Sequence, residues 1–411
     1  MTGEILFLAH RMPFPPNRGD KIRSHHLLRR LAELAPVHVA TFADDAADLA
    51  EEGALAALTA SHFLVRRSKP LILAGVQSVL QGRPVSLPAF YSAKLADYVA
   101  RTIAEHPITA IYVFSGQMGQ YVPATFTGKV IADFVDVDSA KFEAYGENHG
   151  GLRRLIEVRE GRLLRAEEAR LAARADISLL ISKPEAELFA ARLPPSAICE
   201  VQVLRNGIDS GSFDPDRIGP EPQMLALPGP RLIFTGQMDY APNIAAARRV
   251  AERILPAIRA ELPNTSFHVI GRNPPQELRE LERLPGCHVW GAVPDIRTWL
   301  AAADLALVPL EIARGVQNKV LEAMAMGLPV VLTPGAATGI DATAGMHYAV
   351  AQDDAALAGL AFGLLCDPVR RQQMGQSARR FVTEELSWEA TLAPLAVMLG
   401  KGCGASVRDA A

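Results

Sequence analysis

Short apolar runs alternate with longer segments of helix-forming composition along almost the whole chain. The runs contain β-branched and aliphatic residues on successive positions, which is typical of strands covered on both faces. In the first half they predict strands at residues 5–9, 37–42, 110–114, 130–135, 177–181 and 201–204. In the second half they predict strands at residues 231–235, 267–270, 288–290, 305–309 and 329–332. This alternation predicts an α/β protein with parallel sheets.

A segment of turn-forming residues separates the two halves. RNGIDSGSFDPD contains the turn pair Asn206-Gly207, and the residues that follow it are rich in proline and glycine. A chain of 411 residues is also too long for one compact core. We therefore predict an N-terminal domain at residues 1–205 and a C-terminal domain at 206–385. Residues 386–411 are expected to form a closing helix that packs back toward the N-terminal domain, followed by a frayed tail.

Two segments of the N-terminal half combine apolar and basic residues. RRSKPLILAGVQSVLQGRPVS, residues 66–86, is too short to span a membrane. It forms either a core helix with a basic approach or a helix that rests on the inner leaflet of the membrane. The charged segment 151–175 predicts a solvated amphipathic helix. Its apolar side would carry Leu152, Leu155, Ile156, Leu163 and Leu171.

Composition narrows the class of protein. With 49% hydrophobic and 21% charged residues the chain resembles ordinary globular proteins, and its net charge of −3 gives no general reason to bind nucleic acid. Its four cysteines form no CxxC pair, which argues against a zinc site and a disulfide framework. The first apolar run is short and has no cationic leader, so we expect a cytoplasmic protein.

Several common motifs are missing. The loop after the first predicted strand, HRMPFPPNRGDKIRS, lacks the GxGxxG fingerprint of dinucleotide-binding dehydrogenases. The sequence also contains no GxxxxGK[ST], HExxH or GxSxG motif. These absences exclude P-loop kinases and ATPases, and they argue against zincins and α/β-hydrolases.

The most informative segment is GVQNKVLEAMAMGLPVVLTPGAATGID. Residues 319–326 are good helix formers, and Gly327 ends the predicted helix. Glu322 lies in this helix between Leu321 and Ala323. A carboxylate there has a clear use if it accepts hydrogen bonds from the 2′,3′-diol of a ribose. The alternative, on this spacing alone, is an exposed helix glutamate.

The loop TPGAATGI follows the next predicted strand. The backbone N–H groups of Gly339 and Ile340, near an expected helix N-terminus, are placed to hold a diphosphate. The alternative is a plain turn of glycine and proline.

The segment NKVLEAMAMGLPVV resembles the donor-binding signature of family-four retaining glycosyltransferases, which have the GT-B fold. RNGIDSGSFDP, IFTGQMDYAPN and HVWGAVPDIRTWLAAADLALVPL resemble, in order, the family's interdomain segment, the opening of its donor domain and the approach to its donor site. The end, LLCDPVRRQQMGQSARRFVTEELSWEATL, is similar to its closing helices. MPFPPNRGDKIRSHHLL and FVDVDSAKF resemble sugar transferases of bacterial exosortase (PEP-CTERM) exopolysaccharide systems. The resemblance implies two Rossmann-like domains that face each other across a cleft.

It also implies roles for single residues. Glu322 would hold the donor ribose. Gly19 matches the glycine that keeps the first loop close to the donor phosphates and the acceptor, and Gly236 matches the glycine at which the donor domain opens. The loop that would contact the diphosphate is formed by Thr338, Gly339 and Ile340.

The sequence departs from the family's pattern around the phosphates. Arg314 stands where the family usually has a glutamate that touches the donor sugar. Gln237, directly after Gly236, and Asn243 stand where it often has an arginine and a lysine on the diphosphate. Because a leaving diphosphate needs charge neutralisation, we expect Arg314 and Lys319 to replace those cations. The alternative is a surface arginine and a lysine at a helix start.

Acidic residues of the N-terminal half are further catalytic candidates. Asp20 lies beside Gly19 in a loop of several cations, which suits an anionic acceptor or the donor diphosphate, and a solvated loop is the alternative. Asp20 would interact with the acceptor hydroxyl or the donor sugar. Asp136 and Asp138 form a DxD triplet, which holds a metal ion in transferases of the GT-A fold. Because the resemblance is to GT-B enzymes, we expect no metal there, and either aspartate would orient the acceptor or the sugar.

The sequence therefore predicts a cytoplasmic hexosyltransferase that needs no metal or other cofactor. It would move a sugar, with retention, from a nucleotide diphosphate sugar to a glycan or lipid-linked acceptor in exopolysaccharide synthesis. Its expected partners are that donor, that acceptor and the inner surface of the cytoplasmic membrane, and not nucleic acid. Two alternatives remain open. They are a sugar-nucleotide epimerase on the same fold and a non-catalytic sugar-nucleotide-binding protein.

Overall fold

The computed structural model describes residues 3–148, 150–195, 199–311 and 316–400. The chain divides into two compact units, one formed by Met1–Asn206 with Thr391–Ala411 and the other by Gly207–Ala390. This division falls beside the predicted boundary at residue 205, and the segment from Thr391 groups with the first unit. The tail for which fraying is predicted lies outside the described residues from position 401 onward.

The first unit is built on a parallel sheet whose central strands are almost wholly apolar and buried on both faces. Its strands are β1 (Glu4–Ala9), β2 (Val37–Ala43), β3 (Ser61–Arg66), β4 (Ile108–Phe114), β5 (Lys129–Val135), β6 (Ile177–Leu180) and β7 (Glu200–Val203). Within the described residues, the order across the sheet is β3-β2-β1-β4-β5-β6-β7.

Helices cover both faces of this sheet, as right-handed crossovers between parallel strands require. They are α1 (Gly19–Leu34), α2 (Ala46–Ala50), α3 (Glu52–Ala56), α4 (Leu71–Gln81), α5 (Ser86–Ala89), α6 (Ala93–Glu105), α7 (Asp138–Asn148), α8 (Gly151–Arg174) and α9 (Lys183–Arg192). A 3₁₀ turn, Gly116–Tyr121, follows β4.

The second unit repeats the architecture. Its strands are β8 (Arg231–Thr235), β9 (Ser266–Ile270), β10 (Cys287–Gly291), β11 (Leu305–Val308), β12 (Val330–Leu332) and β13 (Ala349–Val350). In the described part of the chain they are all parallel, in the order β10-β9-β8-β11-β12-β13.

The helices of the second half surround a core of aliphatic residues from every strand. They are α10 (Pro222–Leu225), α11 (Ala241–Arg249), α12 (Leu255–Glu261), α13 (Gln276–Arg279), α14 (Ile296–Ala302), α15 (Asn318–Ala325), α16 (Asp354–Cys366) and α17 (Pro368–Glu385). Two short helices, α18 (Trp388–Leu392) and α19 (Leu395–Met398), end the described chain.

The strand orders indicate where each sheet is expected to bind a ligand. In the first sheet the order reverses direction between β1 and β4, and in the second between β8 and β11. In open parallel sheets ligands bind outside the carboxyl ends of the strands at such a reversal. The loops after these four strands are therefore the expected ligand-binding segments.

Two predictions about the first unit are wrong. Residues 66–86 do contain a helix, α4, but it is not the core helix that was one of the two alternatives, because most of its large apolar side chains are exposed. The apolar side expected for α8 is not buried as a whole either, since Leu171 is buried while Leu155 and Ile156 are exposed. The inward side of α8 instead carries Glu160 and Glu168, whose carboxylates accept hydrogen bonds from other segments.

The pattern also missed two strands, β3 and β13. The sequence of β3, SHFLVR, mixes polar and apolar residues because it is a half-buried edge strand. In β13 only two residues pair, which leaves no periodicity to detect. Among the described residues, no helix is both long enough and apolar enough to cross a membrane.

Candidate functional site

In the second unit, predicted donor residues meet where β8 and β11 lie side by side. Gly236 directly follows β8, and α15 follows β11 after a short loop. A Cβ atom at Gly236 would lie 2.9 Å from Asn243 Nδ2 and 3.0 Å from Lys319 Nζ. Any larger residue would displace these two side chains. Gly236 is therefore needed for the close approach of α11 and α15 at this edge of the sheet.

Lys319 is held by uncharged groups. Its Nζ donates a 2.5 Å hydrogen bond to Asn243 Oδ1 and lies 4.7 Å from the centre of the Phe234 ring. Asn243 Nδ2 in turn donates to the backbone oxygen of Gln237 at 2.8 Å. Within the described residues no carboxylate forms an ion pair with Lys319. Burial lowers the pKa of Lys319 to about 8, although the nearby charge of Glu322 opposes this shift.

Glu322 lies one turn after Lys319 on α15. Burial raises the pKa of its carboxyl group, and the charge of Lys319 opposes that shift. In the part of the chain that the structure describes, no hydrogen bond or ion pair engages this carboxylate. The residue is half-buried. A partly desolvated carboxylate without protein donors suits a ligand that supplies them, because removing an unpaired charge from water is costly.

The loop after β12 differs from its prediction. The expected helix N-terminus behind Ile340 is wrong, because turns and irregular structure follow and α16 begins only at Asp354. The Ile340 N–H, expected to face a diphosphate, instead donates to Ala337 O at 3.1 Å, and its side chain is buried. Thr338 is likewise folded back, with its N–H on Gly335 O at 3.3 Å. In these consecutive tight turns, both N–H groups donate to backbone oxygens of the loop itself.

Gly339 is the residue of this loop whose backbone N–H remains available to a ligand. Its φ of 79° is left-handed, a conformation that favours glycine. A Cβ atom there would lie 2.9 Å from Val316 Cγ2, just before α15. Among the described residues its N–H makes no backbone hydrogen bond. The loop therefore packs against the start of the Lys319–Glu322 helix and offers one backbone donor.

The sequence did not single out Gly271, which follows β9. A Cβ atom there would lie 1.6 Å from the backbone oxygen of Gly236, so no side chain fits. Gly236 N–H donates to Ile270 O at 3.1 Å, and Gly271 N–H donates to Gly291 O at 2.8 Å. Glycines thus continue the hydrogen-bond ladder at the carboxyl ends of three neighbouring strands. The signal available in the sequence was a glycine directly after each of the predicted strands 231–235, 267–270 and 288–290.

Arg249 is a second residue that sequence reasoning missed. It is buried at the end of α11 and forms a 2.5 Å contact with Asp354 Oδ1. Its other nitrogens donate to the backbone oxygens of Pro309 at 3.2 Å and Gln352 at 3.0 Å. Arg249 therefore holds together the loops that follow β11 and β13. Arg314, expected to face the diphosphate, lies outside the described residues.

In the first unit, the loop after β1 leads into α1, which begins at Gly19. A Cβ atom at Gly19 would meet nothing within 4 Å, so the space beside it is open. Asp20 accepts a 2.8 Å hydrogen bond from Arg11 and pairs with Arg18 at 3.0 Å. Burial opposes ionisation of Asp20, yet hydrogen bonds from His10 and Arg11 hold its pKa far below the usual range. Asp20 is therefore a fixed anion that positions this loop, and not a group poised to accept a proton.

His10, which belongs to the same loop of cations, lies at the strand reversal of the first sheet. Its ring is buried and stacks on Phe114, the last residue of β4, at a centroid distance of 5.6 Å. Its Nε2 lies 3.4 Å from Asp20 Oδ2, while its buried Nδ1 has no hydrogen-bond partner among the described residues. Burial lowers the pKa of His10, which keeps the imidazole neutral. The neutral ring therefore lies beside Asp20 with its Nδ1 closed off from solvent.

Asp136 and Asp138 follow β5, after Val135 with its left-handed φ of 71°. Lys141 Nζ donates to Asp136 at 2.7 Å and to Asp138 at 3.2 Å. Burial would lower the pKa of Lys141, but the two carboxylates outweigh it and raise that pKa. The ammonium group of Lys141 thus lies between the two carboxylates of the DxD triplet. The narrow cleft beside them is lined by Ser86, Leu87, Gly116, Gln117, Phe134, Asp136, Asp138, Leu164, Glu167 and Glu168.

Comparisons with known proteins bear on this geometry. Residues 229–367 match the family model described as Glycosyl transferases group 1. HepE (Alr3699) of Anabaena in complex with UDP has a TM-score of 0.65 at 15% identity, covering 97% of this chain and 100% of that one. Sucrose-phosphate synthase of Thermosynechococcus elongatus has a TM-score of 0.59 at 16% identity, covering 97% and 98%. Among curated proteins, none matches the chain in sequence.

A third similar structure is WaaG, a glycosyltransferase involved in lipopolysaccharide biosynthesis. Its TM-score is 0.56 at 18% identity, covering 96% of this chain and 100% of that one. At such identities the likeness shows the fold, which is GT-B, with two Rossmann-like units. The predicted fold class is therefore confirmed. The matched domain, which contains Gly236, Lys319 and Glu322, confirms the prediction of a glycosyltransferase.

Proposed function

We propose that this protein transfers a sugar, with retention of configuration, from a nucleotide diphosphate sugar to a glycan or lipid-linked acceptor in exopolysaccharide synthesis. The observation that carries the proposal is the pair Lys319 and Glu322 on the first turns of α15. One offers a cation that no described carboxylate neutralises, and the other a carboxylate without a described donor. A nucleoside diphosphate presents the complement of both, an anionic diphosphate and a ribose diol.

In the proposed complex, Glu322 accepts hydrogen bonds from the ribose hydroxyls. Lys319 faces the diphosphate, and the Gly339 N–H adds a backbone donor. The similar HepE structures contain UDP and UDP-glucose, which supports a uridine diphosphate sugar as the first donor to test. Arg314 would add a second cation near the phosphates.

The chemical step breaks the bond between the anomeric carbon and the β-phosphate oxygen, and negative charge develops on that oxygen. Lys319, fixed in place by Asn243, stabilises the charge without reorganisation in the transition state. The acceptor hydroxyl attacks from the same face and gives its proton to the departing phosphate. No metal is needed in this scheme, because Lys319 supplies the positive charge that the leaving phosphate requires. The carboxylates of Asp136 and Asp138 pair with Lys141 instead.

The acceptor is assigned to the first unit. The cleft beside Asp136 and Asp138 offers carboxylates for sugar hydroxyls. The role of WaaG in lipopolysaccharide biosynthesis supports a glycan built on a lipid carrier. Such acceptors lie at the inner face of the cytoplasmic membrane, where we place the protein as a peripheral enzyme.

Two alternatives predict different products. An epimerase would isomerise the donor without any acceptor, and a binding protein would hold the donor without turnover. A panel of nucleotide sugars scored by thermal shift identifies the donor, because ligands that bind only the native state raise its melting temperature. Incubation of that donor alone, and then with membrane lipid extract, separates the three outcomes. Sugar appearing in the lipid fraction, with release of nucleoside diphosphate, supports the transferase, and an isomerised donor or no conversion overturns it.

A further inference from the structure

Helix α4 exposes an unusual amount of apolar surface. Ala74 and Ser78 form the narrow stripe that packs against the protein and are fully buried. The large residues point outward, and Ile72 and Leu80 are 84% and 81% exposed. An isolated exposed leucine needs no explanation, but a contiguous apolar face marks an interaction site. The exposed residues of this face are Leu71, Ile72, Leu73, Val76, Val79 and Leu80.

The first half of α8 extends this face. Arg159 of α8 donates to the hydroxyl and the backbone oxygen of Ser78 on α4, at 3.2 and 2.9 Å. Glu160 accepts from the Val85 N–H at 2.6 Å, just beyond the end of α4. The two helices are therefore neighbours. On α8 the exposed apolar residues are Leu155, Ile156 and Val158. We call α4 and residues 151–162 together the docking face.

The distribution of acidic and basic residues around the docking face indicates the kind of partner that it fits. No acidic residue occurs between positions 67 and 96, a range that contains α4 and its flanks. The glutamates of residues 151–162 are both buried, Glu157 beside Arg153 and Glu160 on the Val85 N–H. The cations Arg66, Arg83, Arg154 and Arg162, by contrast, are exposed. The docking face is thus apolar with a basic surround and without exposed acid.

We propose that the docking face binds a bilayer surface that carries anionic lipids, with the apolar residues of α4 in the headgroup region and the arginines on lipid phosphates. Apolar side chains on one side of a helix, flanked by basic residues, are the features that hold a helix in the plane of such a surface. A protein partner would be expected to meet the same face with acidic groups of its own. A second copy of this chain offers no such groups from its own docking face.

This inference rests on the proposed function for its purpose and connects to the proposed acceptor site. Ser86 and Leu87, directly after α4, and Leu164, directly after the α8 portion of the docking face, line the cleft beside Asp136 and Asp138. Contact with a bilayer would therefore bring the mouth of this cleft to the depth at which a lipid-linked sugar lies.

The test is sedimentation of the full chain with vesicles of phosphatidylcholine alone or with about 30% phosphatidylglycerol. We expect binding to the anionic vesicles, weakened at high salt as exposed charges are screened. The double variant Ile72→Glu with Leu80→Glu should bind these vesicles at least roughly tenfold more weakly, since it places two negative charges in the headgroup region. Arg154→Gln with Arg162→Gln should weaken binding to the anionic vesicles without changing the weak binding to phosphatidylcholine.

The control is Val369→Glu, which places one glutamate at an exposed valine on α17 and should bind vesicles as the wild type does. Thermal melting and UDP binding of every variant show whether the fold and the donor site are intact. Wild-type protein that binds UDP but no vesicle overturns the docking face and leaves the proposed transferase standing. If the wild type is a dimer without lipid and the double variant Ile72→Glu with Leu80→Glu is a monomer, the docking face is an interface between copies. That result would also overturn the membrane proposal.

Discussion

Lys319 on α15 donates a 2.5 Å hydrogen bond to Asn243 on α11, although 76 positions separate the two residues in the chain. Asn243 stands where the resembling family often carries a lysine, and the contact brings the ammonium group of Lys319 to that place. The amide fixes the amine without neutralising it. The pair therefore accounts for how this chain could neutralise a diphosphate although the sequence lacks two usual cations.

The first prediction concerns the charge of Lys319. Lys319→Gln should weaken UDP binding by roughly tenfold to a hundredfold, because a charge-assisted hydrogen bond contributes about 1.5–3 kcal/mol. Binding of uridine, which has no phosphate, should change little. Isothermal titration of both ligands against both proteins measures the difference. An equal loss for uridine and UDP would mean that the substitution disturbs the site as a whole and that Lys319 does not face the diphosphate.

The second prediction is a pH dependence. The pKa of Lys319 is lowered to about 8, so the amine loses its charge as pH rises through that value. The dissociation constant of UDP should therefore increase by about tenfold between pH 7 and pH 9. Lys319→Arg is the control, because a guanidinium stays protonated throughout this range. A wild-type profile as flat as that of the arginine variant would rule out the titration of Lys319 as its cause.

The third prediction concerns metal ions. Transfer activity should persist in excess EDTA, since Lys141 lies between Asp136 and Asp138. Among the described residues, the side chains that come close enough to share a metal ion are Glu4, His38 and His106, at the amino ends of β1, β2 and β4 and not at the DxD carboxylates. Loss of activity with EDTA and its recovery with Mn²⁺ or Mg²⁺ would restore the metal interpretation of the two aspartates.

The fourth prediction compares two glycines. Gly271→Ala should destabilise the protein by about 1–3 kcal/mol, because its Cβ would lie 1.6 Å from Gly236 O and force the backbone to shift. Gly19→Ala meets no atom within 4 Å and should melt like the wild type. If Gly19 borders bound donor, its alanine variant should nevertheless lose activity. Equal melting temperatures for the two variants would contradict the close contact between the loops after β8 and β9.

Local patterns predicted the features of the fold that depend on neighbouring positions. Buried parallel strands are continuous apolar runs, and the Lys319–Glu322 spacing is one helical turn, so both are visible in the sequence. Contacts between distant segments leave no such mark. Arg23 and Asp133 form a buried 2.8 Å ion pair across 110 positions, and nothing in either segment indicates the other as its partner.

The exposed face of α4 shows a different limit of sequence reasoning. Its sequence, LILAGVQSVLQ, is apolar on almost every side, so periodicity cannot say which side the protein covers. The loop at Thr338 and Ile340 shows a third limit. Glycine and proline predicted a turn there. Whether its N–H groups face a ligand or bond within the loop depends on dihedral angles that the composition does not determine.

The central claim is that Glu322 holds the ribose of a nucleoside diphosphate, and one titration tests it most directly. Glu322→Gln keeps the shape of the side chain and removes the charge that strengthens its hydrogen bonds. The melting temperature should not fall, because burial already disfavours the charged form of this carboxyl group. UDP and 2′-deoxy-UDP are titrated into both proteins. The difference in affinity between the two ligands isolates the bond to the 2′-hydroxyl.

Wild-type protein should bind UDP more tightly than 2′-deoxy-UDP. The Glu322→Gln variant should bind UDP roughly tenfold to a hundredfold more weakly and distinguish the two ligands less, since charge-assisted bonds contribute about 1.5–3 kcal/mol. A folded variant that binds both ligands with wild-type affinities would contradict the account. It would leave Glu322 as a helix residue without a ligand, and the donor site at the start of α15 would fall with it.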